Sequence, residues 1–219
     1  MNKILTIVFI VALMFLIITF SIGLPIYVRP FYYAQIEPLN IENDTGFSKA
    51  EIKNGYDEVM DYLVAGKEFG TGVFKYSDSG KSHFEDCKTL FDLNIIILIA
   101  SGIIVATLLI LNKLKKIEFL KFKGFHPMFF ASIILIVTLL FIGFLVSLDF
   151  YRAFEIFHKI FFPGKGNWIF DYRTDEIILA LPSQFFLNCG ILILVSIVLI
   201  SAVLVAVSII NKRKEKAKV

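Results

Sequence analysis

The hydrophobic residues gather in four long runs that alternate with polar segments, and this pattern predicts four membrane-spanning helices. Each run lacks charged residues and has about the 20 residues that a helix needs to cross a bilayer. The first run is too long for the core of a secretory signal peptide, so we expect it to remain as an anchor. The predicted spans are residues 4–24, 93–111, 128–148 and 185–210.

The polar segments between the spans predict a set of shorter elements. Residues 48–65 carry apolar side chains at helical spacing, and Ser48 and Glu51 have the spacing of a capping box, so an amphipathic helix is expected there. Residues 149–162 place a stripe of phenylalanines on one side of a predicted interfacial helix. Residues 69–76 are β-prone and interrupted by glycine, which favours a short β-hairpin.

Two further helix starts follow from capping patterns. Ser82 and Glu85 form a second capping-box spacing, which predicts a helix that runs without a break into the second span and makes His83 its first helical residue. Asp175 is expected to cap a short helix over residues 176–181. The predicted fold class is an all-α membrane protein: one integral membrane domain over residues 1–219, with four transmembrane helices, a cap of amphipathic and interfacial helices, and the short hairpin as an optional element.

Basic residues are distributed unevenly over the polar segments, and this asymmetry predicts the topology. Residues 112–126 and the tail beyond residue 210 are rich in lysine, and such segments stay on the cytoplasmic side. Both termini are therefore expected inside the cell, with segments 25–92 and 149–184 outside. The chain is 57% apolar, and its net charge of +3 reflects this topology, so the expected partners are membrane lipids and not nucleic acid.

The three histidines are the most informative candidates for chemistry. His83 and His158 lie at the outer ends of predicted spans, whereas His126 precedes the third span and is expected to be structural. A helix N-terminus at His83 and burial among phenylalanines at His158 both favour the neutral imidazole, which can act as a general base near neutral pH. Satisfied structural histidines are common, so a purely structural function for the pair stays open.

Other constellations are weaker. The sequence has no H-E-x-x-H motif and no cluster of cysteine and histidine, so neither a metal nor another cofactor is predicted. Cys87 follows His83 by four residues, but adjacency on one helix is not the usual geometry of a catalytic cysteine–histidine pair. The spans contain no acid or base, which argues against an ion pump.

The residues around the two outer histidines resemble those of the lipoprotein intramolecular transacylases, a family of four-span bacterial membrane proteins. Tyr172 departs from the family pattern, which has proline at this position. The resemblance covers nearly the whole chain in span order, and it is carried by Ser82, His83, Phe84, Asp86, Lys88, Leu90, Phe91, Phe157, His158, Phe161, Phe162, Pro163, Gly164, Trp168, Phe170, Asp171, Thr174, Asp175, Leu181, Pro182, Phe185 and Phe186.

The resemblance implies an activity and a place. The sn-2 acyl chain of a diacylglyceryl-modified lipoprotein would move to the α-amino group of its own N-terminal cysteine, which gives the lyso-form. The enzyme would lie in the bacterial plasma membrane with its active site at the outer leaflet. His83 and His158 would be the catalytic residues, one as base and the other as acid. The expected supporting residues are Asp86, Arg152, Trp168, Asp171, Arg173 and Asp175.

Two rival functions remain at this point. A non-catalytic four-span adaptor of the tetraspanin or claudin kind would carry paired cysteines in an outer loop, but the outer segments contain only Cys87. Alternatively, Cys87 could itself accept an acyl group from a phospholipid. Replacement of Cys87 by alanine separates these mechanisms, since histidine catalysis predicts that activity is retained.

Overall fold

The computed structural model describes residues 2–217, and these residues form nine α-helices and no β-strand. Lys218, part of the predicted basic tail, lies outside the described residues. The helices are α1 (Lys3–Tyr27), α2 (Pro30–Tyr33), α3 (Ile41–Thr45), α4 (Lys49–Ala65), α5 (Asp78–Lys113), α6 (Pro127–Leu148), α7 (Phe150–Phe161), α8 (Ile177–Ala180) and α9 (Ser183–Lys216).

Four of these helices are long and apolar enough to cross a membrane, which confirms the predicted all-α membrane fold. They are α1, α5, α6 and α9, and each contains one of the predicted apolar runs. Helices α5 and α9 extend well beyond their runs, with 36 and 34 residues. Their polar ends therefore continue as helix outside the apolar stretch, which lets them carry polar side chains on a rigid element.

By packing, the chain divides into two compact units. Unit 1 consists of Met1–Ile22, Asn94–Leu145 and Leu192–Val219, and unit 2 consists of Gly23–Leu93 and Val146–Ile191. The single integral membrane domain expected over residues 1–219 stays a prediction.

Unit 1 has a core of aliphatic and aromatic side chains and an apolar exterior. Phe9, Leu135 and Ile197 are almost fully buried, whereas Ile103 and Val137 on the outer surface are more than 60% exposed. Exposed apolar surface of this kind is the expected surface of a protein whose solvent is lipid.

In unit 2, helix α4 has the predicted start and the predicted buried face. The side chain of Ser48 accepts a hydrogen bond from the Glu51 amide while Glu51 accepts one from the Ser48 amide, so the capping box is confirmed. A ring of Tyr56 on the buried face stacks on Tyr32 with centroids 3.8 Å apart. The buried apolar residues of α4 are Ile52, Tyr56, Val59, Met60 and Leu63.

The expected β-hairpin is absent, because residues 66–77 form an irregular loop. The loop turns at Gly72, whose φ of 61° suits glycine. The Thr71 hydroxyl donates to the Phe74 carbonyl at 2.6 Å, and the Phe74 ring lies against the backbone of Gly55 in α4. The Phe74 amide donates to the Thr71 carbonyl at 3.2 Å and the Gly72 amide donates to the Glu58 carboxylate of α4 at 2.7 Å, so these backbone groups need no partner strand.

Two predicted helix starts are wrong, and both errors involve Asp175. Helix α5 begins at Asp78, since the Ser77 hydroxyl accepts from the Gly80 amide at 3.0 Å, and His83 therefore lies in the second turn. Asp175 does not cap α8, whose N-cap is Glu176. It accepts instead from the amide and the hydroxyl of Ser77, both at 2.8 Å, so the two predicted caps are replaced by one long-range connection.

Candidate active site

The structure brings His83 and His158 together although 75 positions separate them in the sequence (158 − 83). Their ring centroids lie 5.8 Å apart, and the two residues are only 7% and 6% exposed. His83 lies on the polar end of α5, before its apolar run, and His158 is the one buried residue of α7. Both histidines belong to unit 2, and both lie outside the predicted membrane spans.

Aromatic rings enclose the pair. The Phe162 ring lies 4.9 Å from His83 and 5.7 Å from His158, so it contacts both imidazoles. Trp168 stacks on His158 with centroids 4.7 Å apart and an angle of 27° between the rings. Phe170 meets the His83 ring edge-on at 5.5 Å, and Phe154 lies 4.3 Å from His158. The site is therefore a small polar centre within apolar walls.

The hydrogen bond made by His158 defines its tautomer. Its Nδ1 lies 2.8 Å from the backbone carbonyl oxygen of Phe154, one turn earlier in α7. A carbonyl oxygen can only accept a hydrogen bond, so Nδ1 carries the hydrogen and Nε2 of the neutral ring has a free lone pair. Within residues 2–217, no donor is hydrogen-bonded to that Nε2.

His83 has a different arrangement. Its Nε2 lies 3.4 Å from the Sγ atom of Cys87, one turn later in α5. Its Nδ1 is buried and has no hydrogen-bond partner in the described part of the chain. Buried polar atoms are nearly always paired, so an unpaired ring nitrogen at this place is unusual.

Burial keeps both rings neutral. Burial and, to a smaller extent, the nearby His158 lower the pKa of His83 to about 4, against the opposing effect of the Asp86 carboxylate. Burial also lowers the pKa of His158, against the opposing effect of its bond to the Phe154 carbonyl. The neutral state expected for His83 is therefore attributed to desolvation, and not to a position at the N-terminus of α5.

Asp86 is engaged with the glycine-rich turn over residues 163–167. Its carboxylate accepts from the Asn167 side-chain amide at 2.9 Å and forms an ion pair with Lys165. The Trp168 indole N–H donates to the Lys165 carbonyl at 3.1 Å, so the same turn holds the ring that stacks on His158. Asp86 thus reaches the site through the turn, while Cys87 takes the place next to the His83 ring.

The remaining supporting residues contact neither imidazole by a hydrogen bond or an ion pair in the region that the structure describes. Asp171 forms an exposed two-pronged pair with Arg173, which lowers the pKa of the carboxyl to about 2. Asp175 is bound to Ser77, and Arg152 is exposed on α7. Among residues 2–217 no three side chains of the metal-binding types converge.

Several residues of the site were missed by the sequence analysis. Phe162 follows His158 by four positions, so helical spacing alone could have placed its ring beside the imidazole. Lys165 and Asn167 lie in the turn, but their pairing with Asp86 depends on how two distant segments meet. The sequence carries no local indication that Phe170 reaches His83.

Four apolar helices and a buried histidine pair define an integral membrane protein with a candidate acid–base site, and comparisons with known proteins specify its class. The chain is similar to the in meso structure of the membrane integral lipoprotein intramolecular transacylase Lit from Bacillus cereus, with a TM-score of 0.87 and 26% identity over 99% of this chain and 97% of that one. No curated protein sequence matches.

Two variants of the same Bacillus cereus protein also match. One has a histidine replaced by arginine (TM-score 0.81, 25% identity, 99% of this chain and 94% of that one), and the other has a histidine replaced by alanine (TM-score 0.81, 25% identity, 98% and 94%). The family model of the lipoprotein intramolecular transacylase Lit matches residues 7–186. The chain therefore belongs to the lipoprotein intramolecular transacylase family and is an acyltransferase of the cell membrane.

Proposed function

We propose that this enzyme transfers the sn-2 acyl chain of a diacylglyceryl-modified lipoprotein to the α-amino group of the lipoprotein's own N-terminal cysteine. The product is an N-acylated, S-monoacylglyceryl lipoprotein, the lyso-form. Family membership supports the reaction class. The observation that carries the mechanism is the pair of buried, neutral imidazoles 5.8 Å apart, each with a nitrogen that no residue in the described chain satisfies.

In this mechanism His158 moves the proton. Its Nε2 lone pair accepts a proton from the attacking amine as the nitrogen bonds to the ester carbonyl carbon. The resulting imidazolium then gives the same proton to the sn-2 oxygen as the bond between that oxygen and the carbonyl carbon breaks. The same residue accepts the proton and gives it up, so no covalent enzyme intermediate, metal or cofactor is required.

His83 stabilises the oxyanion as a neutral donor. A ring with a pKa of about 4 is not an imidazolium at neutral pH, so it is a poor proton donor in the sense of general acid catalysis. A neutral imidazole N–H can still donate a hydrogen bond to the carbonyl oxygen as negative charge develops there. The expected pair of one base and one acid thus becomes one proton shuttle and one hydrogen-bond donor.

The substrate supplies both reacting groups, so the enzyme's remaining work is positioning. Well-aligned intramolecular reactions gain on the order of 7–11 kcal/mol from held geometry. The rings of Phe162 and Trp168 give the site apolar walls suited to an acyl chain. On α7, Phe157, Ile160 and Phe161 are about half exposed or more, and such side chains suit the level of the lipid glycerol backbone.

The proposed orientation places the termini and residues 112–126 in the cytoplasm and residues 25–92 and 149–184 outside. Cysteine substitution tests it in a background that lacks both native thiols. Ala50→Cys, at an exposed position of α4, should react with an impermeant thiol reagent in intact cells. Lys116→Cys, exposed in the basic loop, should react only after lysis. The reverse labelling pattern would overturn this orientation.

Mass spectrometry of lipoprotein N-termini tests the reaction. A purified diacylglyceryl lipopeptide with an isotopic label in its sn-2 acyl chain should yield a lyso-form with the label in the N-terminal amide. Labelled phospholipid added in excess should leave no label in the product. An amide labelled from phospholipid, or no acyl shift with folded enzyme, would contradict the proposal.

The contact between Cys87 and His83 gives the rival cysteine mechanism a specific observation in its favour. Burial, however, raises the pKa of the Cys87 thiol to about 12, whereas a nucleophilic cysteine needs thiolate near neutral pH. A cysteine nucleophile would also leave an acyl thioester on Cys87 during turnover. Its detection by trapping at low pH would favour the rival.

A further inference from the structure

We propose that Cys87 is a positioning residue that donates its S–H to Nε2 of His83, so that the ring presents its Nδ1–H to the reacting ester. The inference rests on the proposed function and assigns a task to a contact that the proton shuttle does not use. Cys87 would remain a thiol throughout the reaction and would form no bond to the acyl chain.

The first support is the pairing within α5. Cys87 follows His83 by four residues, which places the two side chains on one face of the helix, and Sγ lies 3.4 Å from Nε2. Asp86, the other group that could have oriented the ring, is already bound to Lys165 and Asn167. Cys87 is therefore the residue that contacts this ring nitrogen.

The second support is the unpaired state of the opposite nitrogen. A neutral imidazole has one N–H and one lone pair, so the group bound at Nε2 decides what Nδ1 offers. If Nε2 accepts from the thiol, the buried Nδ1 becomes an N–H without an acceptor among residues 2–217. An ester oxygen with developing negative charge is the acceptor that such a donor requires.

The direction of the hydrogen bond follows from the state of the thiol. Burial and the neighbouring Asp86 charge raise the pKa of Cys87 to about 12, so the sulfur carries its hydrogen at neutral pH. A thiol sulfur is a weak acceptor, whereas a neutral imidazole nitrogen accepts well. The favoured arrangement is therefore S–H to Nε2.

The two histidines then have complementary states, each fixed by a contact one helical turn away. The Phe154 carbonyl holds the hydrogen of His158 on Nδ1 and leaves a lone pair on Nε2. Cys87 does the opposite for His83 and leaves a donor on Nδ1. One ring can accept the amine proton while the other stabilises the oxyanion.

Nitrogen-15 NMR of histidine-labelled protein in detergent tests the tautomer directly, with the His83 signals assigned from their loss in His83→Gln. The wild-type protein and Cys87→Ser should show His83 protonated at Nδ1, since the serine hydroxyl can donate in the same way. Cys87→Ala should show a mixture of tautomers or Nε2–H. Cys189→Ala, which removes the other free thiol, should leave the wild-type tautomer.

Turnover of the labelled lipopeptide gives the second measurement. Cys87→Ala should retain activity, as histidine catalysis predicts, but with kcat lower by about fivefold and little change in KM, in line with the typical contribution of one hydrogen bond. Cys87→Ser should recover most of the rate. Cys189→Ala should match the wild type. A purely structural function of Cys87 would lower the amount of folded protein and leave the kcat of the remainder unchanged.

Each outcome decides the matter. Wild-type His83 protonated at Nε2 would overturn the inference, and this result does not depend on whether Cys87→Ala folds. An unchanged tautomer in Cys87→Ala would also overturn it. Complete loss of activity in Cys87→Ser together with an acyl thioester on wild-type Cys87 would do the same. If the wild type shows the expected tautomer but does not transfer the labelled acyl chain to the N-terminal amide, the proposed reaction is wrong, while the hydrogen bond from Cys87 to His83 is still supported.

Discussion

Histidines occur in two regions of this molecule, and the regions look alike at first. His126, in unit 1, packs edge-on against Phe9 and Phe119 with centroids 5.6 and 5.3 Å away. His83 and His158, in unit 2, are surrounded by phenylalanines in the same manner. Burial lowers the pKa of all three imidazoles. Aromatic surroundings and a shifted pKa therefore do not separate the histidine that is expected to be structural from the pair that is proposed to be catalytic.

Hydrogen bonds set His83 apart from the other two histidines. Nδ1 of His126 accepts from the Met128 amide at 3.3 Å, so this nitrogen satisfies the backbone at the start of α6. Nδ1 of His158 is likewise bonded to the backbone, at the Phe154 carbonyl, whereas the buried Nδ1 of His83 has no partner in the described part of the chain. Unused hydrogen-bonding capacity at a buried ring nitrogen is costly, and at His83 a bound substrate can satisfy it.

Alanine replacement of the histidines should give the largest contrast. His83→Ala and His158→Ala should each reduce lyso-form production by roughly 10²–10⁴-fold, because each removes a group that acts in the transition state of the proposed mechanism. The double variant should be little worse than either single one, since groups that act as a unit are not additive. N-terminal lipopeptide mass spectrometry alongside membrane abundance measures both effects.

His126→Ala is the matched control, because it removes an equally aromatic-packed imidazole. Its turnover per folded molecule should stay close to the wild-type value. Wild-type levels of lyso-form at normal abundance in either His83→Ala or His158→Ala would end the assignment. An equal loss of turnover in all three variants would contradict the distinction between His126 and the other two histidines.

The connection between Asp86 and the glycine-rich turn should give the next largest effect. Asp86→Ala releases Lys165 and Asn167, and with them the turn that precedes Trp168, so we expect a loss of activity of about tenfold. Asp171→Ala, which breaks an exposed pair with Arg173, should change little, because solvent screens exposed ion pairs. The reverse order of these two effects would contradict the arrangement.

Stacking on His158 should have a smaller effect. Trp168→Ala removes the indole that lies flat on the imidazole, and aromatic pairs contribute roughly 0.5–1.5 kcal/mol, so activity should fall by a few-fold up to about tenfold. Trp168→Phe keeps a ring there and should recover most of the activity. Equal losses in both variants would indicate that the indole N–H, bound to the Lys165 carbonyl, matters more than the stacked face.

Local patterns predicted much of this fold but not all of it. The four spans and α4 follow from hydropathy and from Ser48 and Glu51, which are close in sequence. The start of α5 could not be derived in this way, because the environment of Ser77 depends on Asp175, which lies 98 positions away. A second capping-box pattern a few residues later was the stronger local signal, but tertiary contacts decided the start of the helix.

The same difference between local and long-range contacts determines which parts of the candidate site could be predicted. The local settings of His83 and His158 predict them as candidate catalytic residues, and the family resemblance implies the same pair. The contact between His83 and Cys87 can be predicted from helical spacing, since Cys87 follows His83 by four positions. The pairing of Asp86 with the turn and the approach of Phe170 to His83 join distant segments, so no window of sequence contains them.

The smallest expected effect is the pH dependence of stability, in which the two regions should behave alike. A histidine whose pKa is lowered in the folded state binds fewer protons there than in the unfolded chain, so folding stability rises with pH. That stability is present above the unfolded value of about 6.5 and is lost as pH falls below it, down to about 4 for His83. The thermal unfolding temperature in detergent should therefore be lower at pH 4.5 than at pH 7. The decrease should be smaller in His126→Gln and His83→Gln than in the wild type. At pH 7.5 only His83→Gln should have lost turnover. A wild-type slope in His126→Gln would show that its buried ring takes up its proton as readily as in the unfolded chain.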